Sequence, residues 1–191
     1  MVGNNPTDAA VLYLIVCGAP PAAQAHDMIA LAQERGWDVY VTLTPAATAF
    51  VDIANLTETS NHPVRVTYSK PSEDEAWPKP SAIAVVPATF NTLNKWALGI
   101  GDTLATSILC EYLGEDIPIV VAPCLKAALA RHPAFPKSIR LLKKWGVQVL
   151  YDPRRYVSPE IVPYADVLSA LSAQHASLRM QIDARQAPDD K

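Results

Sequence analysis

The sequence predicts an α/β fold in which a parallel sheet of six strands carries helices on both faces. Two observations predict it. Short continuous apolar runs, Val11 to Cys17 first among them, have the composition of strands buried on both sides. These runs alternate with longer segments of helical character, the order that builds a parallel sheet through crossover helices.

The elements follow in order. Val11 to Cys17 is the first strand, and a turn follows at Gly18-Ala19-Pro20. Pro20 and Pro21 suit the opening of a helix, where their missing N–H groups have no partner to lose. Ala22 to Arg35 reads as that helix, stopped by Gly36. Asp38 to Leu43 is the second strand, and Pro45 to Ile53 a helix with Thr44 at its N-cap. Val64 to Tyr68 reads as a short third strand and Ala82 to Val86 as a fourth. A helix from about Asn91 to Tyr112 bends at Gly99 and Gly101. Ile117 to Ala122 is the fifth strand, Pro136 to Trp145 a helix, and Val147 to Leu150 the sixth strand. The whole is a three-layer Rossmann-like sandwich of the flavodoxin type.

Composition narrows the function. The 191 residues suit one domain. It is read over residues 11–180, with a flexible N-terminus at 1–10 and a disordered tail at 181–191. Sixteen basic and 19 acidic residues, with no contiguous basic run, argue against nucleic acid. Nothing at the N-terminus has the charge and apolar pattern of a signal peptide, and Ala9 to Val16 is too short to span a bilayer. Cys17, Cys110 and Cys124 fit no metal spacing and read as buried thiols of a reducing compartment, the cytoplasm. The proline-rich stretch Pro71 to Pro80 reads as a loop, a candidate lid.

In an open parallel sheet, ligands bind beyond the carboxyl ends of the strands. The residues there are therefore the informative ones. Gly18-Ala19-Pro20-Pro21 is either a tight strand-to-helix turn or a phosphate-binding one. It is neither the G-x-G-x-x-G pattern nor a P-loop. Thr44 can cap a helix or hold a phosphate oxygen. After the fourth strand comes Pro87-Ala88-Thr89-Phe90-Asn91-Thr92-Leu93-Asn94-Lys95, then Ala97, Gly99, Ile100, Asp102, Leu104 and Thr106.

This stretch resembles the Pro-Ala-Ser-Ala-Asn-Thr signature, and the lysine, glycine and Asp-Asn-Leu-Leu-Thr run beyond it, of the homo-oligomeric flavin-containing cysteine decarboxylases. Gly18 and Thr44-Pro45-Ala46-Ala47 to Phe50 fall where that family has its first two flavin-contacting loops. Pro123 to Ala130 falls on the family's substrate motif Pro-x-Met-Asn-x-x-Met-Trp, with the register set by His132-Pro133-Ala134. The resemblance covers about residues 11–152. It implies FMN held between subunits of a homotrimer or dodecamer, with Gly18, Ala19, Thr44, Phe50, Ala88 and Thr89 around the cofactor. Thr89 keeps the hydroxyl of the family's serine, and Asn91 is placed at the isoalloxazine or the substrate.

The chain also departs from that pattern. Leu125-Lys126 and Leu129-Ala130 replace the family's Met-Asn and Met-Trp pairs. Lys126 either grips the substrate carboxylate as a point charge or is a solvated surface lysine. No histidine lies in Pro71 to Trp77, where the family has its catalytic one, and the nearest, His62, reads as a surface loop residue. His26 and His132 read as structural or solvent-facing, and Trp77 and Trp96 as packing residues. No cysteine follows Cys124, which separates the chain from phosphopantothenoylcysteine decarboxylases and brings it nearer the peptide cysteine decarboxylases.

Three functions follow from the resemblance. The first is oxidative decarboxylation of a peptide ending in cysteine or of a small cysteine derivative, with Lys126 and Asn91 as the working residues. The second is a non-catalytic FMN-binding or regulatory subunit on the same fold. The third, flavin prenyltransferase, lacks charged residues for a prenyl phosphate around Pro87 to Lys95.

Overall fold

The computed structural model describes residues 9–68, 77–152 and 162–186. Its sheet is built from β1 (Ala10–Val16), β2 (Trp37–Leu43), β3 (Ala82–Ala88), β4 (Ile119–Pro123) and β5 (Gln148–Val149). All pairings are parallel, in the order β2-β1-β3-β4-β5. The helices are α1 (Ala25–Gln33), α2 (Ile53–Ser60), α3 (Phe90–Ala97), α4 (Leu104–Tyr112), α5 (Ala127–Ala130), α6 (Ala134–Lys144) and α7 (Tyr164–Gln186).

Strand alternation explains the three layers. In β1, Leu12, Leu14 and Val16 face one side, against α1, α2 and the first turns of α7 through Met28, Ile29, Leu56, Leu168 and Leu171. Tyr13, Ile15 and Cys17 face the other, against α3, α4 and α6 through Leu93, Trp96, Leu109, Phe135 and Leu142. Both faces are buried, so the central strands are apolar at every position and read as unbroken runs. The Trp96 indole N–H donates to the Leu109 carbonyl at 2.9 Å, which satisfies the polar atom of a wholly buried ring.

Five strands form rather than six. The segment expected as the third strand meets β2 only at Arg65, whose N–H donates to the Val41 carbonyl while its carbonyl accepts from Leu43. Pro63 carries no N–H, and two bonds make a bridge rather than a strand. Arg65 also lies 4.3 Å above the Trp77 ring.

Two expected helices open differently. Pro20–Gln24 and Pro45–Ala49 are single 3-10 turns. The first runs into α1, which ends at Gln33. After the second, Asp52 starts α2 afresh by accepting from the N–H groups of Ala54 and Asn55. The bend at Gly99 to Gly101 is a full break between α3 and α4. Gly99 adopts φ +70°, and Thr103 with Thr106 forms a reciprocal capping box that starts α4.

Helix α7 has no counterpart among the expected elements, and it carries the backbone to Gln186, past the expected tail boundary at residue 181. Over residues 164–180 of α7, only Val167, Leu168 and Leu171 are buried, so most of that length shows no apolar stripe in sequence. Residues 1–8, 69–76 and 187–191, hence the expected N-terminal segment, most of the 70–80 loop and the end of the tail, lie outside the described residues. Among the described residues no helix is long and apolar enough to cross a membrane, and none of the three cysteines is in a disulfide.

Leu14 is wholly buried at the centre of β1. Leu14→Ala is expected to destabilise the fold by about 2–5 kcal/mol, read as a lower midpoint at unchanged slope in urea unfolding.

Candidate functional site

The strand order places a switch point between β1 and β3: the chain leaves β1 towards β2 on one side and returns through β3 on the other. A crevice opens at the carboxyl ends of such a pair. Backbone hydrogen bonds knit the loops around it. Cys17 N–H donates to the Pro87 carbonyl at 3.1 Å, Cys124 N–H to the Ala88 carbonyl at 2.8 Å, and Thr44 N–H to the Val16 carbonyl at 3.0 Å. The β3–β4 register shifts between Val85 and Ala88 and resumes at Ala88–Pro123, while on the other side the Cys17–Pro87 bond continues the β1–β3 register.

Gly18 sets how closely the first two loops approach. A Cβ there would lie 2.7 Å from the backbone of Ala46, so only glycine lets the two turns pack. Beside that contact, the N–H groups of Gly18, Ala19, Ala46, Phe90 and Asn91 have no backbone acceptor among the described residues. Each belongs to the opening of a 3-10 turn or of α3, where unpaired donors are expected. Ala19 and Ala88 are buried, while Asn91 is exposed and Phe50 is 39% exposed.

The two threonines behave differently. Thr44 occupies an N-cap position but its side chain makes no cap bond, although the residue is only 8% exposed. Its hydroxyl is therefore uncommitted, and the capping alternative does not hold. Thr89 does cap: its Oγ1 accepts from Thr92 N–H at 3.4 Å and lies 3.0 Å from Thr92 Oγ1. The same two hydroxyls reach the Cys17 thiol. Burial nevertheless pushes that thiol well above its ordinary pKa, and burial also raises Cys124. Cys17 is a buried neutral thiol, whereas Cys110 and Cys124 are only partly buried.

Beyond the first turn, α3 is clamped at several points. Asn94 Oδ1 accepts from Ser138 Oγ at 2.6 Å, tying α3 to α6. Lys95 Nζ pairs with Asp102 at 2.5 Å across the α3–α4 corner, and this hydrogen bond holds the Asp102 carboxyl below its ordinary range. After β4, the substrate-motif residues sit in a loop and the four-residue α5. Leu125 packs on the core, whereas Lys126 and Leu129 are exposed. Lys126 and Asn91 thus project from neighbouring loops, joined at the Cys124–Ala88 hydrogen bond.

The histidines are sorted by the same geometry. His62 pairs with Asp38 at 2.6 Å and stacks on Tyr40 at 3.9 Å between ring centres. Asp38 lies at the amino end of β2, five residues before Leu43, about 16 Å from the carboxyl edge. His62 is therefore bound into an aromatic cluster with Tyr13, Tyr40 and Trp77, far from Thr44. His132 is the histidine brought towards the crevice. Its ring meets Phe90 edge-on at 5.3 Å, and its Nδ1 accepts from Ala134 N–H at 3.1 Å. The sequence reads it as structural or solvent-facing, because its contact with Phe90 joins residues 42 positions apart and leaves no local pattern. His26 pairs with the adjacent Asp27, and Trp77 and Trp96 are packing residues as expected.

Residues 4–177 match the model of the Flavoprotein family. The chain belongs to that family. Among curated relatives, the flavoprotein is 29% identical over 148 residues to the coenzyme A biosynthesis bifunctional protein CoaBC of Thermococcus kodakarensis, covering 73% of this chain and 36% of that protein. It therefore spans about a third of the length of the bifunctional relatives it matches. It is also 29% identical over 141 residues to a probable phosphopantothenoylcysteine decarboxylase of Streptococcus mutans, covering 71% of this chain and 78% of that one. Among solved structures it resembles the FMN-dependent cysteine decarboxylase TvaF of thioviridamide biosynthesis. There the TM-score is 0.73 at 25% identity, over 87% of this chain and 98% of that one. The cypemycin decarboxylase CypD shares the fold at TM-score 0.72 and 23% identity, over 90% and 97% of the two chains.

Two outcomes are expected from this geometry. Gly18→Ala, by driving a methyl group into the Ala46 backbone, lowers stability by about 1–3 kcal/mol, read as a lower melting temperature. Iodoacetamide at pH 8 leaves Cys17 unmodified in the native flavoprotein while modifying it in urea, as peptide mass mapping would record.

Proposed function

We propose that this flavoprotein binds FMN at the β1/β3 switch point and catalyses oxidative decarboxylation of a substrate that ends in cysteine, either a peptide or a small cysteine derivative. The observation that carries the reading is that three loops at the carboxyl ends of β1, β2 and β3 carry unpaired N–H groups and the uncommitted hydroxyl of Thr44 at one end of the sheet. A phosphate requires such donors, and helix openings add a favourable dipole. No Asp or Glu occurs in Gly18–Pro21, Thr44–Phe50 or Ala88–Leu93 to repel it. The residues present therefore fit the cofactor.

The roles follow from position. N–H groups of Gly18, Ala19, Phe90 and Asn91, with the Thr44 hydroxyl, hold the phosphate end. Ala19 and Ala88 keep the crevice open by being small, and Phe50 offers an apolar wall. Thr89 acts through α3, whose first turn its hydroxyl closes. When bound, FMN supplies a two-electron acceptor for the carbon that carries the substrate thiol. Oxidation of that thiol to a thioaldehyde leaves the neighbouring carbon able to release its carboxylate as carbon dioxide. The electron pair of the broken C–C bond then passes to sulfur and gives an enethiol. Lys126 holds the carboxylate before it leaves, and Asn91 orients the reacting end.

The site lies at an open edge with exposed Phe50, Ile53 and Leu129 around it, which supports a homotrimer or a dodecamer with the cofactor between subunits. Three cysteines outside any disulfide support a cytoplasmic location. A second reading, a non-catalytic FMN-binding subunit, is favoured by one observation: His62 is fixed at the far end of β2. Flavin prenyltransferase is disfavoured because Lys95, the cation within Pro87 to Lys95, is already paired with Asp102.

The purified protein is expected to show flavin absorption bands and to release FMN on denaturation. Thr44→Val is expected to raise the FMN Kd about tenfold, the loss of one phosphate hydrogen bond. Lys126→Ala is expected to raise KM for a cysteine-ended peptide and to leave the flavin spectrum unchanged. A colourless protein that takes up no added FMN would overturn the reading. Flavin-loaded protein that releases no carbon dioxide from any cysteine-ended substrate would favour the non-catalytic one.

A further inference from the structure

The loops and helices that follow β4 carry an unbalanced charge. From Ile117 to Tyr151 there are six Lys or Arg residues and no Asp or Glu, in a chain whose net charge is −3. The six are Lys126, Arg131, Lys137, Arg140, Lys143 and Lys144, and all are exposed. The ion pairs of the described residues are His26–Asp27, His62–Asp38, Lys79–Glu115 and Lys95–Asp102, so none of the six has one.

Helix α6 does not need these cations to fold. Its inner face, Phe135, Ser138 and Leu142, packs on the core and on α3. Its outer face sets Lys137, Arg140 and Lys144 at spacings of three and four, where like charges repel. Lys143 and Lys144 complement the helix dipole in the last turn, but Lys137 and Arg140 lie too early for that. Leu141, 37% exposed, stands within the stripe. At its far end Trp145 lines a cleft with Glu115 and Asp116, which closes the cationic track on that side. The track therefore runs along about 10 Å of α6, from Lys137 to Lys144, and follows in sequence the loop that carries Lys126.

We propose that this face docks an acidic stretch of a polypeptide substrate, upstream of the cysteine presented to the crevice. The proposal deepens the decarboxylase reading and rests on it for the identity of the bound chain as substrate: it selects a peptide over a small cysteine derivative. Charge complementarity requires an anionic occupant, and the exposed Leu141 suits an apolar residue within it. A single short stripe on a net-acidic body suits a short acidic segment better than a long polyanion.

The test uses the full-length protein and two fluorescent peptides of equal length. One carries four glutamates upstream of its C-terminal residue and the other carries glutamines there. Binding is read by anisotropy on versions ending in alanine, which need no catalysis, and turnover on versions ending in cysteine. The acidic peptide is expected to bind at least tenfold more tightly, with the preference falling as salt rises. K137E/R140E/K144E is expected to abolish the preference, and the milder K137Q/R140Q/K144Q to reduce it, with flavin absorbance and melting temperature retained. In turnover, the glutamates are expected to lower KM and leave kcat unchanged. Equal binding of the two peptides would overturn the proposal. So would tighter competition by single-stranded DNA or by phosphatidylserine vesicles, or a change of oligomeric mass in K137Q/R140Q/K144Q. Turnover without an acidic preference sinks the docking face alone, whereas an acidic preference without turnover sinks the decarboxylase reading alone.

Discussion

The end of β3 governs the rest of the structure. Its last two carbonyls, of Pro87 and Ala88, accept from Cys17 on one side and Cys124 on the other. The first extends the β1–β3 register and the second lies where β3–β4 pairing resumes after its shift. They fix three loops from three distant parts of the chain against one another. A buried backbone carbonyl without a partner costs free energy comparable to a lost hydrogen bond, so the arrangement is strongly preferred over one in which the loops splay. Everything assigned to the crevice hangs on that joint: the opening of α3, the Gly18–Ala46 contact, and the loop after β4 that carries Lys126.

Around the joint, polar groups divide between holding the fold and facing the crevice. Thr89, Thr92, Thr103 and Thr106 use their hydroxyls to start helices, and Ser138 locks α3 to α6 through Asn94. Thr44 and the unpaired N–H groups are left over. They are neutral donors, so the phosphate proposed to bind there would meet no buried charge that has to be desolvated without it. The aromatic cluster of Tyr13, Tyr40, Trp77 and His62 does similar structural service at the opposite end of the sheet. That placement removes the histidine nearest in sequence from the chemistry.

Much of the fold was legible because β1, β3 and β4 are buried on both faces and leave unbroken apolar runs. The short pieces were not. Val64 to Tyr68 has strand-like residues, but pairing stops after Arg65, and pairing is not a local property. The 3-10 turns at Pro20 and Pro45 share their residue preferences with helix openings. Helix α7 went unseen because packing of its first turns under the sheet holds it, while most of its surface is polar or small.

The sequence alone determined the class of fold and the position of the crevice. Apolar runs, a small-residue turn at Gly18-Ala19, and the Pro87 to Thr106 signature are all local patterns. The family model agrees with them over residues 4–177. Only the tertiary structure decided which hydroxyl near the crevice is free, which histidine meets Phe90, and that Lys137, Arg140 and Lys144 stand exposed on the outer face of α6. Each of these depends on what a side chain meets across the fold. Thr44 and Thr89 both precede helical turns, yet one caps and the other does not, because only the folded backbone turns an N–H towards Thr89.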